Sequence, residues 1–170
     1  MKSLALVAVL AAASLALSSP ASAQGPASSN EPTNQEIAVT IHATGTFEVK
    51  LAPKAPDDSD ASGLGRMTID KKFHGDLEGT SQGQMLSFLT STKTSGGYVA
   101  LERVTGTLHG KKGSFVLQHS GTMNRGAPSL TVMVVPESGT DELAGITGTM
   151  QIIIESGKHS YDFEYSITAP

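Results

Sequence analysis

The fold is decided by residues 98–148, which read YVALERVTGTLHG (98–110), KKGSFVLQHSGTM (111–123), SLTVMVVP (129–136) and ESGTDELAGITG (137–148). The first three pieces alternate apolar and polar residues, and turns containing glycine or proline separate them. Alternation with a period of two is typical of strands that bury one face. This part of the chain therefore predicts antiparallel strands joined by hairpins and closed by a glycine-rich corner.

The same alternation extends in both directions along the chain. From Ile37 to Leu51 the odd-numbered positions are apolar or small, and mostly polar residues lie between them. Residues 66–80 predict a bent strand or two short ones, with Gly75 at the interruption. No stretch offers a clear helical face. Together with the strands above, about eight strands are predicted, the others at residues 84–90, 98–109, 114–123, 129–135, 146–155 and 160–168.

Glycine placement predicts how these strands are arranged. Gly-Thr pairs recur without a fixed interval at positions 45, 79, 106, 121, 139 and 148, which argues against a solenoid repeat. Glycines beside β-branched residues allow a strongly curved sheet to turn its corners. Closure also removes the unpaired edges of such a sheet. We therefore predict an all-β, eight-stranded antiparallel barrel, with a two-sheet sandwich as the alternative.

The N-terminal segment has the features of an export signal. A short basic start at Lys2 precedes an apolar run up to Leu17, and Ala21-Ser22-Ala23 has the small-x-small pattern of a cleavage site. The run is shorter than the roughly 20 residues that a membrane-spanning helix needs. We expect an exported protein, periplasmic or secreted, with no membrane insertion after cleavage. Its parts would be a signal peptide (1–23), a disordered leader (24–36) and a single domain (37–170).

Charge and composition narrow the possible partners. Sixteen acidic and twelve basic residues give a formal net charge of −4, and loss of Lys2 with the signal peptide would make it −5. Without clustered Lys and Arg, an acidic protein is a poor ligand for nucleic acid or anionic lipid. We interpret Lys71-Lys72 and Lys111-Lys112 as solvated turns or strand exits. The chain has no cysteine, so an exported domain must depend on its core alone.

Glu102 and His119 are ionisable residues that fall on the apolar faces. If the turn is Gly110 to Gly113, residues whose numbers sum to 223 face each other, which makes Glu102 and His119 diagonal neighbours. The following turn would set Val132 opposite His119. A carboxylate and an imidazole within reach of each other suit proton transfer, although pairs that only satisfy each other structurally, or that reach the barrel mouth, are the more common case. A slip of one residue would separate them and turn Arg103 inward.

The apolar faces also supply candidate contacts for a ligand. In the last hairpin, the face of Met150 and Ile152 is shared by Tyr161 and Tyr165 and is interpreted as core. Their hydroxyls could alternatively point into a cavity, because a buried phenol needs a hydrogen-bond partner. The candidate ligand-binding residues are Tyr98, Val104, Phe115, Leu117, Val132, Tyr161 and Tyr165.

Metal and cofactor signatures are weak throughout. Asp57, Asp58 and Asp60 resemble only the start of a calcium loop and lack its glycine and distal glutamate, so we interpret them as solvated loop charge. The sequence has no close histidine pair for zinc, no nucleophile elbow and no phosphate-loop spacing. We therefore expect no metal and no cofactor.

Longer strings carry a family resemblance. They are GTFEVKL (45–51), FHGDLEGTSQGQM (73–85), YVALERVTGTLHG (98–110), GSFVLQHSGTM (113–123), VVPESGTDELAGITG (134–148) and HSYDFEY (159–165). From about Thr44 to Tyr165 the chain resembles a bacterial family of unknown function whose members have an allene oxide cyclase-like β-barrel. The resemblance implies an eight-stranded antiparallel barrel, often self-associating, with no established activity.

Three functional hypotheses follow. The wider superfamily that the resemblance implies includes a plant fatty-acid-derived cyclase, dirigent proteins and natural-product cyclases, which share an apolar cavity with a few polar groups. The first hypothesis is an exported barrel that binds an apolar or amphipathic small molecule. The second is a cofactor-free isomerase or cyclase that uses Glu102 and His119 as acid and base. The third is a structural or oligomeric module, which a large external apolar patch would favour.

Overall fold

A computed structural model describes residues 40–55 and 62–168, and its eight strands pair in chain order to close an antiparallel barrel. The predicted barrel is confirmed, and the sandwich alternative is wrong. The predictions for residues 1–23 and 24–36 and for the acidic loop at 57–60 lie outside the described residues. The strands are β1 (Ile41–Lys54), β2 (Gly65–Gly75), β3 (Leu77–Leu89), β4 (Gly96–Leu108), β5 (Lys111–Asn124), β6 (Ala127–Val134), β7 (Ile146–Glu155) and β8 (Lys158–Ile167).

Side chains alternate between the barrel interior and solvent as the sequence predicts. Inward positions are odd-numbered in β1, β2, β3, β5 and β8, and even-numbered in β4, β6 and β7. The interior is filled mainly by aliphatic and aromatic residues. Phe163 stacks between Phe115 and Tyr165, with ring centroids 5.6 and 5.2 Å away. This aromatic column fixes the packing of β8 against β5.

The hairpin between β4 and β5 differs from its prediction. The turn is His109-Gly110, and paired residues sum to 219 rather than 223, so Glu102 lies opposite Leu117 instead of Gly121. Both turn residues have positive φ, 45° and 82°, which is the requirement of the two-residue hairpin turn that matches strand twist. Each partner shifts by four positions, an even number, and the same side chains still face inward.

The hairpin between β5 and β6 has its predicted register. His119 faces Val132, as predicted, and Leu117 faces Val134. Gly75 ends β2 with φ of 110°, so residues 66–80 belong to two strands rather than to one bent strand. A side chain there would also lie 2.7 Å from the Thr44 carbonyl oxygen.

The two ends of the barrel are packed differently. Between β6 and β7, the short 3-10 helix η1 (Asp141–Leu143) places Leu143 over one end, which we call the closed end; Ala43, Leu77, Leu108, Leu143 and Ile146 are all at most 1% exposed there. At the opposite end, which we call the open end, Ile69, Met85 and Ala100 are buried, but six further inward-facing apolar residues are only half-buried. These six are Val49, Leu51, Met67, Tyr98, Leu130 and Ile152.

One junction in the wall is short. Between β6 and β7 a single pair, Met133 with Thr149, is in register, whereas β5 and β6 share a continuous run from Leu117 to Asn124. Among the described residues, no helix is long and apolar enough to cross a membrane.

Candidate functional site

Four polar side chains meet inside the barrel, between the closed end and the open end. Glu102 is 0% exposed and accepts a hydrogen bond on each carboxylate oxygen, from Lys71 Nζ at 2.7 Å and from Ser81 Oγ at 2.5 Å. His119, 3% exposed, places Nε2 3.1 Å from Glu102 Oε2. We call Lys71, Ser81, Glu102 and His119 the buried network.

The strand register brings these residues together. Lys71 on β2 lies opposite Ser81 on β3. On the next pair of strands Glu102 lies opposite Gly83, where a side chain would come 2.5 Å from the Leu101 carbonyl oxygen and 3.1 Å from the Glu102 Cβ. Glycine at that position leaves room for the carboxylate between two strands. His119 lies one pair further round the barrel, opposite Ala100, whose small side chain leaves space for the imidazole.

Lys71 corrects the interpretation of Lys71-Lys72 as a solvated turn. It lies inside β2, faces inward and is 8% exposed. Its ammonium is 4.9 Å from the Phe47 ring centroid and 5.7 Å from that of Phe73. A buried charge persists when it is paired and its remaining surface meets aromatic faces. The missed signal was parity, because Met67, Ile69 and Phe73 are the neighbours of Lys71 on the inward side.

Glu102 and His119 have different charge states at neutral pH. Burial raises the pKa of the Glu102 carboxyl, but the charge of Lys71 and the nearby His119 outweigh burial and hold this pKa at about 2. Burial lowers the pKa of the His119 imidazole, and Lys71 lowers it further, against the opposing influence of Glu102. At neutral pH the carboxylate is therefore ionised and the imidazole neutral. Glu102 is a weak base in this state, whereas His119 keeps a nitrogen able to take a proton.

His119 Nε2 is short of a partner. Although Glu102 Oε2 is 3.1 Å away, the geometry does not make a hydrogen bond, and Nε2 is buried without a hydrogen-bond partner among the described residues. Distance alone is not sufficient for a hydrogen bond, because the donor must also be aligned with the acceptor. A buried polar atom left in this way costs free energy unless another group satisfies it. Nε2 therefore interacts with the Glu102 carboxylate at 3.1 Å without an aligned hydrogen bond, and it is the one buried side-chain polar atom among the described residues in this situation.

Glu102 and His119, the predicted catalytic pair, lie next to each other. The seven predicted ligand-binding residues lie in different parts of the barrel. Val104, Phe115 and Leu117 are fully buried, with Val104 opposite Ser81 and Leu117 opposite Glu102, and Val132 is 2% exposed opposite His119. Tyr98 lies at the open end with its ring against Gly121, where a side chain would come 2.3 Å from a ring carbon. Burial, with a contribution from Glu102, raises the pKa of Tyr98 to about 12 and keeps the phenol neutral.

Tyr161 and Tyr165 use their hydroxyls at the closed end. The Tyr161 hydroxyl accepts a hydrogen bond from the Leu77 backbone N–H at 2.9 Å, and the Tyr165 hydroxyl lies 2.8 Å from His109 Nδ1. These partners satisfy the buried phenols within the protein. A ligand role for any of the seven residues stays a prediction.

The outer surface carries a shallow groove across β2, β3 and β4. Its volume is about 640 Å³, and Leu64, Leu86, Val99 and Leu101 contribute its apolar part. Within the described ranges, no three His, Asp or Glu side chains are grouped closely enough to hold a metal ion.

The protein is an eight-stranded antiparallel β-barrel with a buried ion pair inside. This architecture alone does not assign an activity. Residues 43–165 match the family described as "Protein of unknown function (DUF3224)", and the chain belongs to that family. The predicted family resemblance is confirmed.

A solved structure supports this assignment. The chain is similar to a protein with unknown function from the DUF3224 family of Shewanella oneidensis MR-1, with 48% sequence identity and a TM-score of 0.72. The alignment covers 78% of this chain and 100% of that chain. No curated protein matches the chain.

Proposed function

We propose that the protein binds an apolar or amphipathic small molecule in the open half of the barrel, with the ligand's polar group directed at the buried network. The observation that carries this proposal is the buried Nε2 of His119, which lies 3.1 Å from Glu102 Oε2 but makes no aligned hydrogen bond. It lies inside an otherwise apolar interior, next to a carboxylate whose charge is already compensated by Lys71. An apolar site with a few convergent polar groups is the usual form of a small-molecule pocket.

The difference between the two ends supports the same proposal. At the closed end Leu143 and its neighbours leave the core covered, whereas six inward-facing residues at the open end are half-buried. A ligand that covered them would remove apolar surface from water, worth roughly 25 cal/mol per Å². The preferred ligand therefore has an apolar body facing the open end and one hydrogen-bonding group, such as a hydroxyl or carbonyl, facing His119.

A fluorescent fatty acid, cis-parinaric acid, tests the proposal by titration with the purified protein, and native mass spectrometry gives the stoichiometry. Binding of one molecule, competed by unlabelled fatty acids or polyketide-like compounds, is the expected result. Ile152 and Ile153 provide a matched pair on β7, since Ile152 faces inward and Ile153 faces solvent at 37% exposure. Ile152→Gln should weaken binding at least about tenfold, and Ile153→Gln should leave it unchanged.

Two results would overturn the binding proposal. One is the absence of saturable binding and of thermal stabilisation across lipids, fatty acids and polyketide-like compounds. The other is equal loss of binding in the two isoleucine variants while both keep the wild-type melting temperature, because that would locate the probe on the outer surface.

We also propose acid–base catalysis as a second candidate function, favoured by the neutral imidazole beside an ionised carboxylate. In this proposal His119 takes the proton from a substrate carbon next to a carbonyl, and Glu102 positions and stabilises the imidazolium that forms. Incubation with enolisable ketones and conjugated enones in D2O, followed by mass spectrometry, tests for proton exchange. Exchange should be abolished by His119→Gln; exchange that survives this substitution would exclude His119 as the base.

We propose export as the setting of either activity, on the basis of the basic start, apolar run and Ala-Ser-Ala site of residues 1–23. N-terminal sequencing of the protein from a bacterial periplasm or medium should begin at Gln24. Recovery of an uncleaved cytoplasmic chain would contradict this.

A further inference from the structure

Three ionisable side chains lie in a row at the closed end, away from the buried network. The Tyr165 hydroxyl is 2.8 Å from His109 Nδ1, and His109 Nε2 is 3.6 Å from Asp76 Oδ1. Tyr165 belongs to β8, whereas His109 and Asp76 lie in the turns that follow β4 and β2. We call these three residues the closed-end cluster. None of them takes part in the binding and acid–base proposals above.

Backbone hydrogen bonds hold the imidazole and the carboxylate of the cluster in place. The His109 backbone N–H donates to the Asp76 carbonyl oxygen at 2.9 Å, which joins the two turns. Asp76 Oδ2 accepts a hydrogen bond from the Thr44 backbone N–H at 2.7 Å, and Oδ1 faces His109. The hydrogen bond from Thr44 lowers the pKa of the Asp76 carboxyl. Asp76 is therefore ionised at neutral pH.

The ionised carboxylate determines which imidazole nitrogen carries the proton. A neutral histidine donates from one ring nitrogen and accepts at the other, and the partner of one nitrogen sets the role of the other. Asp76 can only accept, so it favours the proton on Nε2 of His109. Nδ1 is then the acceptor for the Tyr165 hydroxyl. The phenolic proton thus faces a base at hydrogen-bond distance.

Tyr165 is buried, whereas its proton acceptor reaches the surface. Tyr165 is 2% exposed and stacks on Phe163, while the His109 side chain is 35% exposed. Burial raises the pKa of the Tyr165 phenol, and the charge of Asp76 raises it further, so the phenolate does not form at neutral pH. Loss of one electron reverses this preference, because a phenol radical cation is a strong acid. An electron therefore leaves Tyr165 most easily when the proton moves to His109 in the same step.

The other two tyrosines lack a basic partner of this kind. The Tyr161 hydroxyl accepts from the Leu77 N–H, and its own hydrogen faces backbone carbonyl oxygens at 3.4 and 3.5 Å, which are too weakly basic to take a proton. The Tyr98 hydroxyl has no hydrogen-bond partner among residues 40–55 and 62–168. The chain has no tryptophan or cysteine that would lose an electron in place of a tyrosine. Tyr165 is therefore the favoured electron donor.

We propose that Tyr165 is a redox-active tyrosine, oxidised at the closed end by diffusing one-electron oxidants such as peroxyl radicals. The oxidant takes one electron from the phenol and becomes a hydroperoxide anion, and the phenolic proton moves to His109 Nδ1. The protein is left with a neutral tyrosyl radical and an imidazolium that the Asp76 carboxylate stabilises. A reductant that returns the electron restores the phenol, which takes its proton back from His109. Because the ring is buried, two such radicals cannot couple into a dityrosine crosslink.

Flash photolysis of the purified protein with tris(bipyridine)ruthenium(II) and a sacrificial electron acceptor tests this proposal, because it produces a one-electron oxidant in solution. Transient absorption and electron paramagnetic resonance detect the tyrosyl radical. Its rate of formation should fall at least about tenfold in Tyr165→Phe. Tyr98→Phe and Tyr161→Phe should keep the wild-type rate.

A matched pair of histidine variants tests the proton acceptor. His109→Asn removes the base, and asparagine tolerates the positive φ of 45° at this turn. It should slow radical formation at least about tenfold. His42 is paired with Asp162 at 2.9 Å instead of with a tyrosine, so His42→Asn should react at the wild-type rate. Circular dichroism of each variant confirms that it is folded.

A solvent isotope effect gives a readout that needs no variant. Because the proton moves in the same step as the electron, wild-type radical formation should be slower in D2O than in H2O. The proposal is overturned by the wild-type rate in Tyr165→Phe, by equal rates in His109→Asn and His42→Asn, or by equal wild-type rates in the two solvents. Absence of any tyrosyl radical in the wild-type protein would overturn it as well.

Discussion

Replacing Lys71 with Met is the most informative perturbation of the buried network. It removes the positive charge 2.7 Å from Glu102 Oε2 and leaves a fully buried carboxylate without its counter-charge. Breaking a buried ion pair by removing one partner costs roughly 3–5 kcal/mol. The pKa of Glu102 gives a similar figure, because lowering it from 4.5 to about 2 stabilises the folded state by about 3 kcal/mol at neutral pH.

A double-mutant cycle isolates this interaction. Lys71→Met and Glu102→Gln should each destabilise the protein by about 3 kcal/mol, since each leaves a buried charge unpaired. The double variant replaces both charges with neutral side chains of similar size. It should be more stable than either single variant and within about 2 kcal/mol of wild type. Urea unfolding followed by far-UV circular dichroism provides the measurement, because the chain has no tryptophan to report on folding.

The pH dependence of the same cycle gives an independent check. A carboxyl group whose pKa is lowered by folding stabilises the folded state above its unfolded pKa, and this contribution is lost as pH falls. Wild-type stability should therefore decline between pH 4.5 and about 2 with a component that the double variant lacks. Loss of less than about 1 kcal/mol in Lys71→Met, or additive single-variant effects, would refute the assignment of a stabilising ion pair.

Three further perturbations test other parts of the structure. Because folding lowers the pKa of His119 below 6.5, wild-type stability should also fall as pH drops below 6.5, and His119→Gln should remove that part of the slope in urea titrations between pH 7 and 5. Tyr161→Phe leaves the buried Leu77 N–H without its acceptor and should cost about 1–3 kcal/mol; a variant as stable as wild type would contradict the hydrogen bond. Gly45→Ala places a carbon 2.0 Å from the His74 carbonyl oxygen and 2.5 Å from the Tyr161 hydroxyl, whereas the nearest atom at Gly97 is 3.4 Å away. Thermal denaturation should show a loss of at least about 2 kcal/mol for Gly45→Ala and a much smaller effect for Gly97→Ala.

The inside-outside pattern of the barrel could be predicted because alternation is a local property of each strand. Parity places Glu102 and His119 inside, and the predicted turn makes them diagonal neighbours. The β4–β5 register differs from its prediction by an even number of positions, so both side chains remain inside and diagonal to each other. Register depends on which residues form the turn, and the sequence allows either a turn centred between Gly110 and Gly113 or one at His109-Gly110. The structure selects His109-Gly110, where a histidine adopts positive φ. That preference depends on strand twist, which no single residue reveals.

The charge partner of Glu102 could have been predicted from the same pattern. Lys71 follows the inward parity of Met67, Ile69 and Phe73, but its neighbour Lys72 made the pair look like a solvated turn. Ser81 is similarly inward, between Gly79 and Gly83 on β3. Their contacts to Glu102 join residues 31 and 21 positions apart in the chain. Such contacts depend on the registers of the β2–β3 and β3–β4 pairs, whereas parity depends only on adjacent residues.

The short junction between β6 and β7 affects how protons reach the barrel interior. With one registered pair there, parting these two strands disrupts fewer backbone hydrogen bonds than parting any other neighbours in the wall. Val132, which faces His119, lies on β6 and would move with that strand. Protons can then reach the sealed imidazole through a sideways fluctuation of one strand while β1 to β5 stay assembled. We therefore expect His119 to change protonation faster than the protein unfolds globally.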